Sequence, residues 1–90
     1  MTYLISYDLN APGKNYDGLY KAIENASNGT WCRPLRSVYI IKSSLSSKDI
    51  YDHLAPCLDS SDRVLVIEVT NKAYWYLDED ISDYLYKMLQ

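Results

Sequence analysis

Hydrophobic positions fall into two rhythms along this chain. Between Tyr3 and Leu9 they alternate. Tyr3, Ile5, Tyr7 and Leu9 share one side and Leu4, Ser6 and Asp8 the other, the period of two that a pleated strand imposes. The run stops at Asn10-Ala11-Pro12-Gly13, where proline fixes φ and glycine accepts a positive one. A helical rhythm follows: Tyr16, Leu19, Tyr20 and Ile23 fall at i, i+3, i+4 and i+7 on one face. Asn28-Gly29 marks its end as a turn.

Thr30 to Leu35 predicts a short irregular strand that Pro34 confines to a sheet edge. Arg36 to Lys42 predicts a central strand, because Val38 and Ile40 on one side and Tyr39 and Ile41 on the other leave neither face polar. A second helix should open near Ser46. Its hydroxyl can cap, Asp49 stands at the reciprocal position, and Leu45 and Ile50 can close a hydrophobic staple. Ile50, Leu54, Cys57 and Leu58 form its apolar face, and Pro56 should loosen its last turn. Arg63 to Thr70 is the most apolar strand. Val64, Leu65, Val66, Ile67 and Val69 predict cover on both faces. Ala73 to Leu77 reads as a fifth strand or a packed loop. Asp78 to Leu89 reads as a terminal helix, with acids in the first turn and a stripe of Ile81, Tyr84, Leu85 and Met88.

The order β-α-β-β-α-β followed by an appendage is the ferredoxin-like α/β (α+β) pattern. It predicts an antiparallel sheet with two helices on one face and the first and third strands in the middle. Residues 1–77 would form the domain and 78–90 a C-terminal helix packed on it or on a second copy. Two helices cover one face only, while strand residues on the other face are still apolar. The C-terminal helix, a second copy or both must cover that face, and a homodimer is expected.

Composition changes this picture in three places. Ten tyrosines and no phenylalanine suit either strands with a wet rim or an aromatic platform for nucleic acid. The net charge of −3 argues against a strongly basic binder. Residues 1–77, however, carry eight basic against eight acidic side chains, and no acid lies between Glu24 and Asp49. Arg33, Arg36, Lys42 and Lys48 form a modest basic strip there, for which a solvated strand face is the alternative, and Lys14, Arg33, Arg36 and Lys42 are the expected nucleic-acid contacts. Cys32 and Cys57 have no metal-ligand spacing and read as buried free thiols in a reducing compartment. His53 has no second histidine to form a zinc site and reads as an ordinary helix residue. The apolar start Met1 to Ile5 lacks a basic n-region, and no run reaches the length of a membrane span. A cytoplasmic location without membrane contact is expected.

Leu4-Ile5-Ser6-Tyr7-Asp8-Leu9, a first strand that ends in aspartate, resembles the opening of the CRISPR-associated Cas-two family. Trp31 followed by Arg36-Ser37-Val38-Tyr39-Ile40 resembles the family's second signature, and Leu45 to Leu58 with Arg63 to Val69 match its next helix and strand. The resemblance spans roughly residues 2–70 and extends to related virulence-associated ribonucleases. It implies a homodimer with sheets face to face and one Asp8 from each chain near the two-fold axis. Some relatives are metal-dependent ribonucleases, and others are non-catalytic dimers that bind nucleic acid and a protein partner. The chain departs from the family in supplying only Lys14 before the first helix and in ending on an acidic helix.

The residues themselves leave Asp8 open to two readings. A carboxylate at a strand end can hold Mg²⁺ or Mn²⁺, which would activate water and neutralise charge on a phosphodiester of RNA or DNA. Alternatively Asp8 caps its loop by accepting from the backbone two residues on. Ser6, on the same face, could orient a water or bond within the sheet. The expected functions are a Cas-two-like metal-dependent endoribonuclease with Asp8 as catalytic and metal residue, a non-catalytic dimer binding nucleic acid or a protein, or an interaction protein of phage or mobile-element origin whose acidic C-terminal helix docks on a basic surface.

Overall fold

Alternation places Tyr3, Ile5 and Tyr7 on one side of β1 (Thr2–Asp8), and in the computed structural model, which describes all 90 residues, all three are buried. Above them lie α1 (Asp17–Ala26) and α2 (Ser47–Leu54). Leu19 and Ile23 of α1, Ile50 and Leu54 of α2, and Tyr39 and Ile41 of β3 (Val38–Lys42) close the main core. The remaining strands are β2 (Trp31–Leu35) and β4 (Arg63–Val69), and the sheet order is β2-β3-β1-β4, antiparallel throughout. This is the expected ferredoxin-like arrangement, with β1 and β3 central.

Local signals act where their chemistry predicts. Gly13 and Gly29 both take positive φ, at 73° and 87°, and serve the two turns flanking α1. The Ser46 hydroxyl accepts from the Asp49 N–H at 3.1 Å and caps α2, although Asp49 returns no bond. Pro56 ends α2 by converting the chain to a single 3₁₀ turn over Ala55–Cys57. Pro34 sits on edge strand β2, where the register slips between Cys32 and Leu35.

The tyrosines divide by environment. Tyr3, Tyr7 and Tyr39 bury their rings and satisfy their hydroxyls at the rim on the Leu45 carbonyl (2.7 Å), the Arg36 carbonyl (2.8 Å) and the Glu24 carboxylate (3.0 Å). Phenylalanine could fill the same volume but would leave these rim acceptors without a donor. Tyr74 and Tyr76 are fully exposed instead.

The opposite face of the sheet is half covered. Segment 73–77 is a loop, not a fifth strand. It turns Trp75 and Leu77 inward beneath α3 (Glu79–Met88), with Trp75 Nε1 donating to the Ser82 hydroxyl at 2.9 Å. Leu85 and Met88 of α3 join Cys32 and Ile40 in a second core that Leu4 and Val38 extend. Tyr84, expected in the buried stripe, is 45% exposed, because it lies at the flank of that stripe. The expectation that β4 is covered on both faces also fails within one chain. β4 is an edge strand beyond the reach of α3, so Leu65 and Ile67 are 51% and 45% exposed. Cys32 is buried as expected, whereas Cys57, in the loosened turn after α2, is only half-buried. His53 is an exposed helix residue. No helix is long and apolar enough to cross a membrane.

Candidate functional site

The end of the sheet where β1 stops gathers most of the charged groups singled out in the sequence. Asp8 is the last residue of β1, pairs in register with Arg63 of β4, and is exposed. Cross-strand partners set their Cβ atoms ~5 Å apart, but the Arg63 guanidinium turns to the loop before β4, where Nη1 donates to the Ser60 and Asp62 carbonyls at 3.1 and 2.8 Å. Ser6, Asp8, Arg63 and Leu65 line a shallow depression of ≈ 220 Å³ there.

The loop-cap reading of Asp8 is overturned. The backbone N–H two residues on, at Asn10, donates at 2.8 Å to Asp62 Oδ1. Asp62 also accepts from the Tyr16 hydroxyl at 2.6 Å and from the Asp59 N–H at 2.8 Å. It thereby ties the loop before β4 to the loop after β1. Burial works to raise the Asp62 carboxyl, but the Tyr16, Asn10 and Asp59 hydrogen bonds and the nearby Lys14 charge outweigh it and hold it at about 2. With that role taken, the Asp8 carboxylate has no hydrogen bond and no ion pair. The one salt bridge in the molecule joins Lys48 and Asp52 on α2.

The expected basic strip is split. Arg36 lies in the turn between β2 and β3, and this turn is fastened to the end of β1. Its carbonyl accepts the Tyr7 hydroxyl, and the Ser37 carbonyl accepts the Tyr7 N–H at 3.0 Å. Arg33 is held beside it. Its Nε and Nη2 donate to the Arg36 carbonyl at 3.1 and 2.7 Å, and its guanidinium lies 4.4 Å from the Tyr20 ring centre and 5.5 Å from that of Tyr39. Lys14, in the β1–α1 loop on the helix side, donates to the Cys57 carbonyl at 2.9 Å and lies 5.0 Å from the Tyr16 ring centre. Lys42 does not belong to this group. It pairs with Thr2 at the opposite end of β1, six residues or about 20 Å from Asp8.

Two functional positions escape a reading of the sequence. Arg63 stands across from Asp8 only once the β1–β4 register is known. Asp62 is one of several acids in its stretch, and its role depends on Asn10 and Tyr16, roughly fifty residues away. No three histidine, cysteine, aspartate or glutamate side chains come together as a metal site within the chain. Asp8 therefore offers one carboxylate, beside the Ser6 hydroxyl on the same strand face. Mg²⁺ accepts one or two carboxylates and keeps most of its waters, so a pair of Asp8 side chains would suit it where one alone is thin. Comparison with protein-family models and with curated proteins finds no match to this chain.

Proposed function

We propose that the chain acts as a Cas-two-like homodimer in which Asp8 from each copy holds Mg²⁺ or Mn²⁺ for cleavage of RNA phosphodiester bonds. The observation that carries this reading is the state of Asp8: exposed at a strand end, without any structural partner, while Asp62 holds the loop. A bare carboxylate contributes nothing to the fold that asparagine or serine could not. A divalent cation held between two such groups would lower the pKa of a bound water and stabilise charge on the phosphoryl oxygens. The chain's own residues divide the remaining work. Asp8 supplies the negative charge, Arg63 on the adjacent strand adds positive charge for the substrate phosphate from its place on the Ser60 and Asp62 carbonyls, and Arg36 extends the positive charge toward the edge of the sheet. The open apolar strip of Leu65 and Ile67, continuous with Ser6 on the same face, supports pairing with a second copy.

A second reading has its own support. Because one chain assembles no three-ligand group, a non-catalytic dimer that binds nucleic acid or a protein needs no metal at all. One experiment separates the two. Purified protein is incubated with labelled RNA and DNA in Mg²⁺, Mn²⁺ or EDTA, beside Asp8→Asn. The nuclease reading expects metal-dependent RNA cleavage that EDTA and Asp8→Asn both abolish, with the variant still eluting as a dimer. Cleavage by Asp8→Asn at the wild-type rate, or no cleavage in any metal, leaves the binding dimer.

A further inference from the structure

A second concavity, of ≈ 560 Å³, opens between edge strand β2 and α3, lined by Trp31, Cys32, Arg33, Asp80, Ile81 and Tyr84. Its volume falls within the range of small-ligand sites. The composition of its walls is specific. Trp31 is half-buried and fixed by packing on Tyr39, with ring centres 5.6 Å apart. Tyr84 faces it from the flank of α3 and remains 45% exposed. Arg33 is immobilised by its two hydrogen bonds to the Arg36 carbonyl and by two tyrosine rings, yet has no carboxylate partner to neutralise its charge. Asp80 adds an acceptor, and Cys32 and Ile81 make an apolar floor. Two aromatic side chains, one pre-placed cation, one acceptor and an apolar floor match a planar heterocycle that carries amino groups and is joined to a phosphate.

We infer that this cleft is a nucleobase subsite, which takes one unpaired base of a single-stranded nucleic acid against Trp31 and Tyr84 with the adjoining phosphate toward Arg33. The inference rests on the reading of the chain as one that handles nucleic acid, and it supplies a substrate preference to that reading: single-stranded over duplex, since a paired base cannot enter a cleft at a sheet edge. Placement agrees with it. β2 and β1 are separated by β3, two strand spacings or about 10 Å, and Trp31 aligns through Ile41 with Tyr3, five residues or about 17 Å along β1 from Asp8, so the two lie about 20 Å apart, a span for a single strand of several nucleotides.

The test uses the full chain in the Asp8→Asn background, so that no strand is cut, with a six-nucleotide single-stranded RNA as probe. The chain has two tryptophans, hence two indole N–H signals in a ¹H–¹⁵N spectrum, and Trp31→Phe assigns them. The expected result is a shift of the Trp31 signal on titration, and no such shift with an abasic strand carrying the same phosphates. Tyr84→Ala should weaken binding by about tenfold, within the range for loss of one base–aromatic stack, while Tyr84→Phe should retain it. A Trp31 signal unmoved at saturating RNA, equal binding of the abasic strand, or full affinity in Tyr84→Ala overturns the inference. Metal-dependent cleavage by the wild type alongside an unmoved Trp31 overturns this subsite alone. Failure of every oligonucleotide to bind overturns it together with the nucleic-acid reading.

Discussion

Leu85→Ala tests whether α3 is part of the folded unit. Leu85 is 6% exposed and packs with Cys32, Ile40 and Met88 against the outer face of the sheet. The substitution removes three carbons. At ~0.8 kcal/mol for each buried carbon, the transfer term is about 2.4 kcal/mol. A sealed void would add a cavity term and carry the loss toward the ~5 kcal/mol upper end of such substitutions. Here the void would merge with the ≈ 520 Å³ cleft that Leu85 already lines with Leu4, Ile40, Trp75 and Leu89, so neighbours and water can enter it. The expected loss is therefore about 2.5–3 kcal/mol. A domain of this size is stable by only about 5–13 kcal/mol. With a urea dependence of ~1 kcal/mol per molar for a small protein, the midpoint should fall by about 2.5–3 M at unchanged slope. Tyr84→Ala, on the exposed flank of the same helix, should cost less than about 1 kcal/mol and controls for helix propensity. An unchanged midpoint for Leu85→Ala would refute the reasoning and mean that α3 does not hold this place in solution.

Three further outcomes follow from the geometry. The Asp62 carboxyl lies at about 2, below its ordinary 3.8, so its contribution is present above pH ~4 and is lost as pH falls toward 2. Urea midpoints should drop through that window in the wild type and more shallowly in Asp62→Asn, and parallel curves would count against the clamp. Burial pushes the Cys32 thiol up to about 11, so at pH 8 a thiol reagent should modify half-buried Cys57 first and Cys32 only as the fold opens; equal rates would contradict the second core. Nucleic-acid affinity should be weak and salt-sensitive, with the salt slope becoming shallower by ~0.7–0.9 for each phosphate-binding cation removed. Arg33→Ala with Arg36→Ala should remove most of the affinity while Lys42→Ala, at the far end of the sheet, changes nothing.

The element order, the helix cap at Ser46, the turns at Gly13 and Gly29 and the break at Pro56 were all legible in the sequence. Each depends on residues a few positions apart, where side-chain direction repeats every two or 3.6 residues and turn chemistry is local. The inward faces of β1 and α1 were legible for the same reason. What local pattern does not carry is which strand ends at an edge. Arg63–Thr70 reads as a doubly covered strand because its side chains are apolar on both sides, but cover depends on where α3 stops, and α3 stops short of β4.

The candidate site divides along the same line. Asp8 stands out in the sequence as a carboxylate closing an apolar strand. Its two readings could not be separated there, because the competitor for the Asn10 N–H is Asp62, 52 residues away. Arg63 gained its place beside Asp8, and Lys42 was set apart from the other basic groups, only when the antiparallel registers of β4 and β3 on β1 were fixed. The tyrosine-rich composition likewise became specific in three dimensions: ring burial with a hydroxyl at the rim for Tyr3, Tyr7 and Tyr39, and full solvation for Tyr74 and Tyr76. Sequence by itself determined the order of the elements and the inward faces of β1 and α1. The tertiary structure decided which charges meet and which faces stay open, because those depend on contacts between segments far apart in the chain.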